Sequence, residues 1–290
     1  MISYNDKHWL PALFSFHQAD TIHRLGPFLI AMILYTQLVA IIMLEFYHLT
    51  GPADWSNVAV MHSLLGFVIS MLLVFRTNTA YDRWWEGRRQ WGQLVNISRS
   101  LALKIAALLL AFPNERAFFR AQIPAVAKAL AAHLRGEAPD DEVISHLEDG
   151  ATPSGVHWPN FLISRLVRRL YELRQRGVLT DYDLLLLNPE LGGLSDVVGA
   201  CERIRNTPIP YSYSSFLKKF IAIYCITLPF GYVMSLHYWV VPVVTFVFYV
   251  LASLEQIAEE IEEPFGIDAN DLPINEISAG IKRVVSETLA

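Results

Sequence analysis

Three stretches of this chain carry no formal charge, and their lengths restrict the available folds more than any motif does. Leu25–Leu44, Trp55–Phe75 and Phe220–Leu254 contain no Asp, Glu, Lys or Arg. A helix rises 1.5 Å per residue, so it needs about 20 apolar residues to cross a hydrocarbon layer about 30 Å thick. The first two stretches fit one crossing each. The third is too long for one and suits two short crossings, interrupted near Met234–Trp239, with Pro229 and Gly231 as local irregularities. Four membrane helices are therefore expected, over about residues 26–47, 57–76, 218–235 and 239–258.

Composition agrees. The chain of 290 residues is 53% hydrophobic and 18% charged, against about 25% charged in soluble domains. Its mean hydropathy is +0.32. A net charge of −5 gives no field to attract nucleic acid. Two cysteines, Cys201 and Cys225, cannot build a disulfide framework. Residues 1–24 are polar and aromatic, so no cleaved signal peptide is expected.

Lys and Arg beside the span ends set the orientation. Lys7 and Arg24 precede the first span, Arg76, Arg83, Arg88 and Arg89 follow the second, and Lys218 and Lys219 precede the third. Tyr47–Asn57 and the turn at His237 hold neither residue type. Both termini and the middle segment are expected on the cytoplasmic side of the inner membrane. The division is then 1–25 cytosolic, 26–76 two membrane helices, 77–217 a helical cytosolic domain, 218–258 two more membrane helices, and 259–290 a cytosolic C-terminal segment.

That cytosolic domain reads as helical, giving an all-α fold. Trp84–Phe112 is a run of helix formers ending at Pro113, and Asn114–Leu134 reads as a second helix with a bend at Pro124. Residues 136–160 hold turn formers and acids. Phe161–Gln175 is a third helix stopped by Gly177, and Thr180 or Asp181 caps a short helix that Pro189 should interrupt, before a last helix at Leu194–Arg205. Neither a repeat nor sustained strand-like alternation is present.

The chemistry-bearing residues are few. Glu259, Glu260, Glu262, Glu263, Asp268 and Asp271 crowd the region after the last span, either as a hard-cation site or as a solvated acidic helix end. The histidines, among them His17, His23, His62 and His237, form no HExxH pair, and the pattern shows no zinc site. His62, Ser63 and Ser70 are polar within a span but have no carboxylate there, so an enzyme is not expected, nor is a cofactor. Along the second span Val60, Leu64 and Val68 recur every four residues, a stripe drifting about 40° per step. On spacing alone that is an ordinary membrane-helix face; in a symmetric assembly it would stack rings that gate by dewetting. Arg76–Trp91 is dense in Arg, Trp and Tyr, suited to interfacial anchoring and to a hinge below the span, with Arg83 pairing to Asp82, Glu86 or Glu202. Arg165, Arg168 and Arg169 could face an acidic partner or lipid headgroups in a pore-free scaffold protein.

Three blocks, in order, resemble the bestrophin family and its bacterial branch: Phe75-Arg76-Thr77-Asn78-Thr79-Ala80-Tyr81-Asp82-Arg83-Trp84-Trp85-Glu86-Gly87-Arg88; Cys201-Glu202-Arg203 with Thr207-Pro208-Ile209-Pro210; and Glu262-Glu263-Pro264-Phe265-Gly266 with Asn270-Asp271-Leu272-Pro273. The resemblance implies a homopentameric ion channel in contact with lipid, passing monovalent ions. It places the neck on the second span, at Val60, Leu64 and Val68, with Ala59, Ser63 and Phe67 one residue out of register. It also implies a second constriction at the cytosolic exit, at Tyr182 or Val178. Animal bestrophins look like Ca²⁺-activated anion channels with a calcium clasp after the Pro-Phe-Gly motif. Here Ile267 and Ala269 interrupt that run and leave Asp268 and Asp271 as the metal candidates. Bacterial relatives are thought to pass cations, and the net acidic chain leans the same way.

Overall fold

The computed structural model describes residues 20–46, 56–145 and 155–290. His17, most of the 1–25 segment, the loop after the first span and the centre of the 136–160 connection lie outside them. All regular structure among the described residues is helical: α1 (Asp20–Ile41), running into a π turn (Ile42–Phe46), α2 (Ser56–Leu108), α3 (Pro113–Arg135), α4 (Asp141–Ser145), α5 (Trp158–Gln175), α6 (Asp181–Asn206), α7 (Tyr211–Leu236), a 3₁₀ turn (His237–Trp239), α8 (Val240–Glu262) and α9 (Ile274–Thr288).

Among the described residues, three helical stretches are long and apolar enough to cross a membrane, Thr21–Phe46, Val58–Leu108 and Tyr211–Glu262. The last is divided at His237, whose φ of 51° falls in the left-handed region that helices cannot use.

The contacts divide the chain into two units. One comprises residues 20–82 of the described chain with Ile209–Glu262. Its core joins Met32 and Val39 of α1, Ile69 and Leu73 of α2, Leu217 and Ile221 of α7, and Val240 and Val244 of α8. The other comprises Arg83–Pro208 and Glu263–Ala290. There Trp91, Leu101 and Ile105 of α2 share a core with Ile123 of α3, Leu166 of α5, Val197 of α6 and Ile281 of α9.

Two segments read as interrupted are continuous helix. The Arg76–Trp91 segment lies inside α2, one helix of 53 residues. The segment contains no proline, and the Thr77 and Thr79 hydroxyls turn inward onto the carbonyls of Leu73 and Phe75, both at 2.9 Å, so nothing competes with the helix there. Pro189 does not interrupt its helix either, since α6 runs through it from Asp181 to Asn206. Proline disturbs carbonyls one turn back. Here Lys104 of α2 donates to the Leu186 carbonyl at 2.8 Å and to Glu190 at 2.6 Å, supplying a donor beside the proline turn.

Local signals fix the ends. Thr180 and Asp183 form a reciprocal capping box at the start of α6, and Gly177 leaves α5 at a φ of 72°, where a side chain would be strained.

Candidate functional site: an open apolar helix face and its anchors

The first unit presents an apolar surface on α2. His62, Ile69, Leu73, Arg76 and Ala80 are buried and recur at helical spacing, so the opposite face is open. That face carries Val60 (60% exposed), Leu64 (66%), Phe67 (71%) and Val68 (38%), followed by Met71, Val74 and Phe75. All three stripe residues lie on it, with Val68 nearest its flank, as the 40° drift requires. Of the shifted register, Ala59 is half-buried while Ser63 and Phe67 are exposed. Ser63 and Ser70 donate to the carbonyls of Ala59 (3.1 Å) and Gly66 (2.8 Å), so their hydroxyls are satisfied within the helix and the face stays apolar. It turns polar at Asn78, Thr79 and Asp82.

On the buried side of α2, opposite that face, sits an ion cluster. Arg76, 1% exposed, lies 2.7 Å from Glu262 and 3.5 Å from Glu255. The other oxygen of Glu262 accepts from the Ile209 amide at 2.8 Å, which fixes the Pro208-Ile209-Pro210 turn. Glu259 pairs with Lys218 at 2.8 Å and Glu260 lies 3.7 Å from Arg24. At the end of α8 the carboxylates of Glu262, Glu259 and Glu260 are thus divided among Arg76, Lys218 and Arg24, with Glu259 58% exposed.

In the second unit the three sequence blocks meet. Arg83 donates to the carbonyls of Ile204 (2.7 Å) and Thr207, at the C-terminal end of α6, where carbonyls lack helical donors. Of the carboxylates weighed for it, Glu86 accepts from Arg203 at 2.7 Å, and Glu202 is held by two histidines. The Trp84 indole donates to the Asn270 carbonyl at 3.0 Å. Gly87 is where Pro264 and Phe265 come closest, since a Cβ there would stand 3.1 Å from both. Asp271 is buried, and its carboxylate accepts from the Asp268 amide at 2.6 Å, closing the turn before α9. Tyr182, in the first turn of α6, is 84% exposed, whereas Val178 packs on the core.

Sequence reading missed one constellation. His133, in the last turn of α3, His157, capping α5, and Glu202 of α6 present one ligand atom each within 4.8 Å of one another. Burial works to raise the Glu202 pKa, but the hydrogen bonds from His157 and His133 outweigh it and hold the carboxyl below its ordinary value. Beside it burial, with the charges of Glu202 and Glu86, pushes the Cys201 thiol up to about 12. These ligands are spread over three helices at spacings no short motif describes. Arg169, a candidate for an external partner, instead binds Glu115 at 2.7 and 3.1 Å.

A helix long and apolar enough to cross a membrane, open and apolar on one face and ion-paired on its buried side, defines a membrane protein. The chain matches the family described as bacterial/fungal bestrophin protein over residues 1–287, and it belongs to that family. It is 34% identical to the voltage-dependent anion channel-forming protein YneE of Escherichia coli, covering 97% of this chain and 92% of that one. It is likewise 34% identical to a voltage-dependent anion channel-forming protein of Nostoc, over the same shares. Among solved structures, a bacterial bestrophin homologue from Klebsiella pneumoniae superposes with a TM-score of 0.81 at 27% identity, covering 93% of this chain and 98% of that one.

Proposed function

We propose that the chain is a pentameric ion channel of the bacterial inner membrane, in which five copies of α2 surround a narrow apolar neck. Family membership supports an ion channel. The observation that carries the geometry is the open α2 face: eight exposed apolar side chains from Val60 to Phe75, with the serine hydroxyls between them satisfied internally. Copies of this face around an axis stack rings of Val60, Leu64 and Val68, which hold no charge and close by dewetting. Tyr182 then forms the lower constriction. The helices cross four times, α7 and α8 being two short spans joined at His237, and both termini and the second unit lie in the cytoplasm, where the Lys and Arg bias puts them.

Neutral rings cannot select by charge, so the sign of the permeant ion is set outside the neck. The names of the curated relatives weigh toward anions and against the cation lean drawn from net charge, which averages over surfaces remote from any pore. Calcium activation is not part of this reading, since the Asp271 carboxylate closes its own turn. The test is a planar bilayer holding purified protein under a salt gradient. Monovalent current with a reversal potential at the anion side supports the reading; silence across varied salts overturns the channel.

A further inference from the structure

We infer that His133, His157 and Glu202 bind a transition-metal ion, with Zn²⁺ the preferred guest. The Nε2 of His133 lies 2.7 Å from Glu202 Oε1, and the Nε2 of His157 contacts the same oxygen. Two imidazoles serving only as donors could spread over both carboxylate oxygens; here both nitrogens converge on one. The rings stand 4.4 Å apart at 57°, so they are not stacked and their edges aim at a common point. Two neutral imidazoles and one carboxylate make a three-ligand set that Zn²⁺ accepts, with a fourth position left for water. Ca²⁺ and Mg²⁺ demand oxygen shells and are poorly served.

The site is built and reachable. Its side chains are 28%, 33% and 27% exposed, enough for an ion to enter and for one water to complete a tetrahedron. The backbone of His133 is held by Arg205, which donates to its carbonyl at 2.8 Å. With metal–ligand bonds of about 2.0–2.1 Å, tetrahedral ligand atoms stand roughly 3.3 Å apart. Loading therefore widens the His133–Glu202 contact by about half an ångström from its 2.7 Å, within reach of a rotamer adjustment.

Loading also has a proton consequence. The Nδ1 of His157 now accepts from the Asn160 amide at 3.3 Å, so the neutral ring carries its proton on Nε2. A metal on Nε2 moves that proton to Nδ1 and releases this cap of α5. The ion would then fasten α3 and α5 to α6, the helix that carries Tyr182.

The experiment uses the full chain, purified in detergent and stripped with a chelator, then titrated with Zn²⁺ against a chromophoric competitor. One ion per chain is expected, with Co²⁺ in its place giving the visible absorption of a four-coordinate site. His133→Ala and Glu202→Gln should each weaken zinc by at least about 100-fold. His157→Asn is the decisive variant, because asparagine retains a helix-capping oxygen but supplies no imidazole. It should lose zinc and the zinc-dependent rise in unfolding temperature, while a single cooperative metal-free unfolding transition shows that it folds. Stoichiometry and affinity unchanged in His157→Asn, or no zinc bound by the wild type at micromolar concentration, would overturn the inference. None of these readouts depends on whether the protein conducts.

Discussion

Arg76 and Glu262 meet at 2.7 Å, with the arginine side chain 1% and the glutamate 10% exposed. The pair joins the buried side of α2 to the last turn of α8, and Glu262 also holds the Ile209 amide. Removing Glu262 leaves the buried arginine with only the longer contact to Glu255, at 3.5 Å, and takes the acceptor from the Ile209 amide. Glu262→Ala should destabilise the protein by about 3–5 kcal/mol, seen as a lower unfolding temperature in detergent. Glu259→Ala, whose partner Lys218 is half-exposed, should cost no more than about 1 kcal/mol.

Gly87 is a second point of no tolerance. A methyl group there meets Phe265 and Pro264 at 3.1 Å, both on a short buried turn. Gly87→Ala should destabilise by about 1–3 kcal/mol. Gly92→Ala, whose Cβ would meet only an Arg88 terminus at 3.7 Å, should be neutral or slightly stabilising. Thermal unfolding of the two variants side by side checks this.

Glu115 makes the stability of the second unit depend on pH. Burial works to raise its pKa, but hydrogen bonds and charge from Arg176 and Arg169 win and hold it below the ordinary 4.5. A lowered folded-state value means the pairing stabilises fully above the ordinary value and is lost as pH falls through the lowered one. Glu115→Gln should therefore cost about 1–3 kcal/mol at neutral pH. The gap from wild type should shrink toward nothing at strongly acid pH, as followed by unfolding curves at each pH.

The neck assignment predicts a gain of function. Leu64 is 66% exposed on the open face, and its truncation removes side-chain volume from the centre of the stripe without opening the chain's own core. Leu64→Ala should widen and wet the neck and raise unitary conductance several-fold, with little change in unfolding temperature. Unchanged currents would reject Leu64 as a neck residue.

Much of this was legible in the sequence because it rests on short-range physics. Charge-free length marked the three long apolar stretches, and the Thr180 and Gly177 signals marked helix ends. What failed was what depends on distant partners. Pro189 looked like a helix break because Lys104, far away in the chain, is invisible to a local reading. Glu86 and Glu202, two of the carboxylates weighed for Arg83, are held by Arg203 and by His133 and His157, and Arg83 reaches the carbonyls of Ile204 and Thr207. The ion pairs of Glu259, Glu260 and Glu262 at the end of α8 were not legible because their cations, Lys218, Arg24 and Arg76, come from three other helices. His133, His157 and Glu202 share no motif, and only the packing of α3, α5 and α6 brings them together.

Whether the α2 face lines water or lipid is tested most directly by thiol accessibility at its centre. The native cysteines leave a quiet background: both are buried and free, and the Cys201 thiol is pushed up to about 12. Leu64→Cys channels in a bilayer should lose most of their current when a charged methanethiosulfonate reagent is added, and recover it with reductant. Current that persists through exposure to the reagent, in channels that otherwise conduct normally, would place residue 64 against lipid or protein and contradict a water-lined neck.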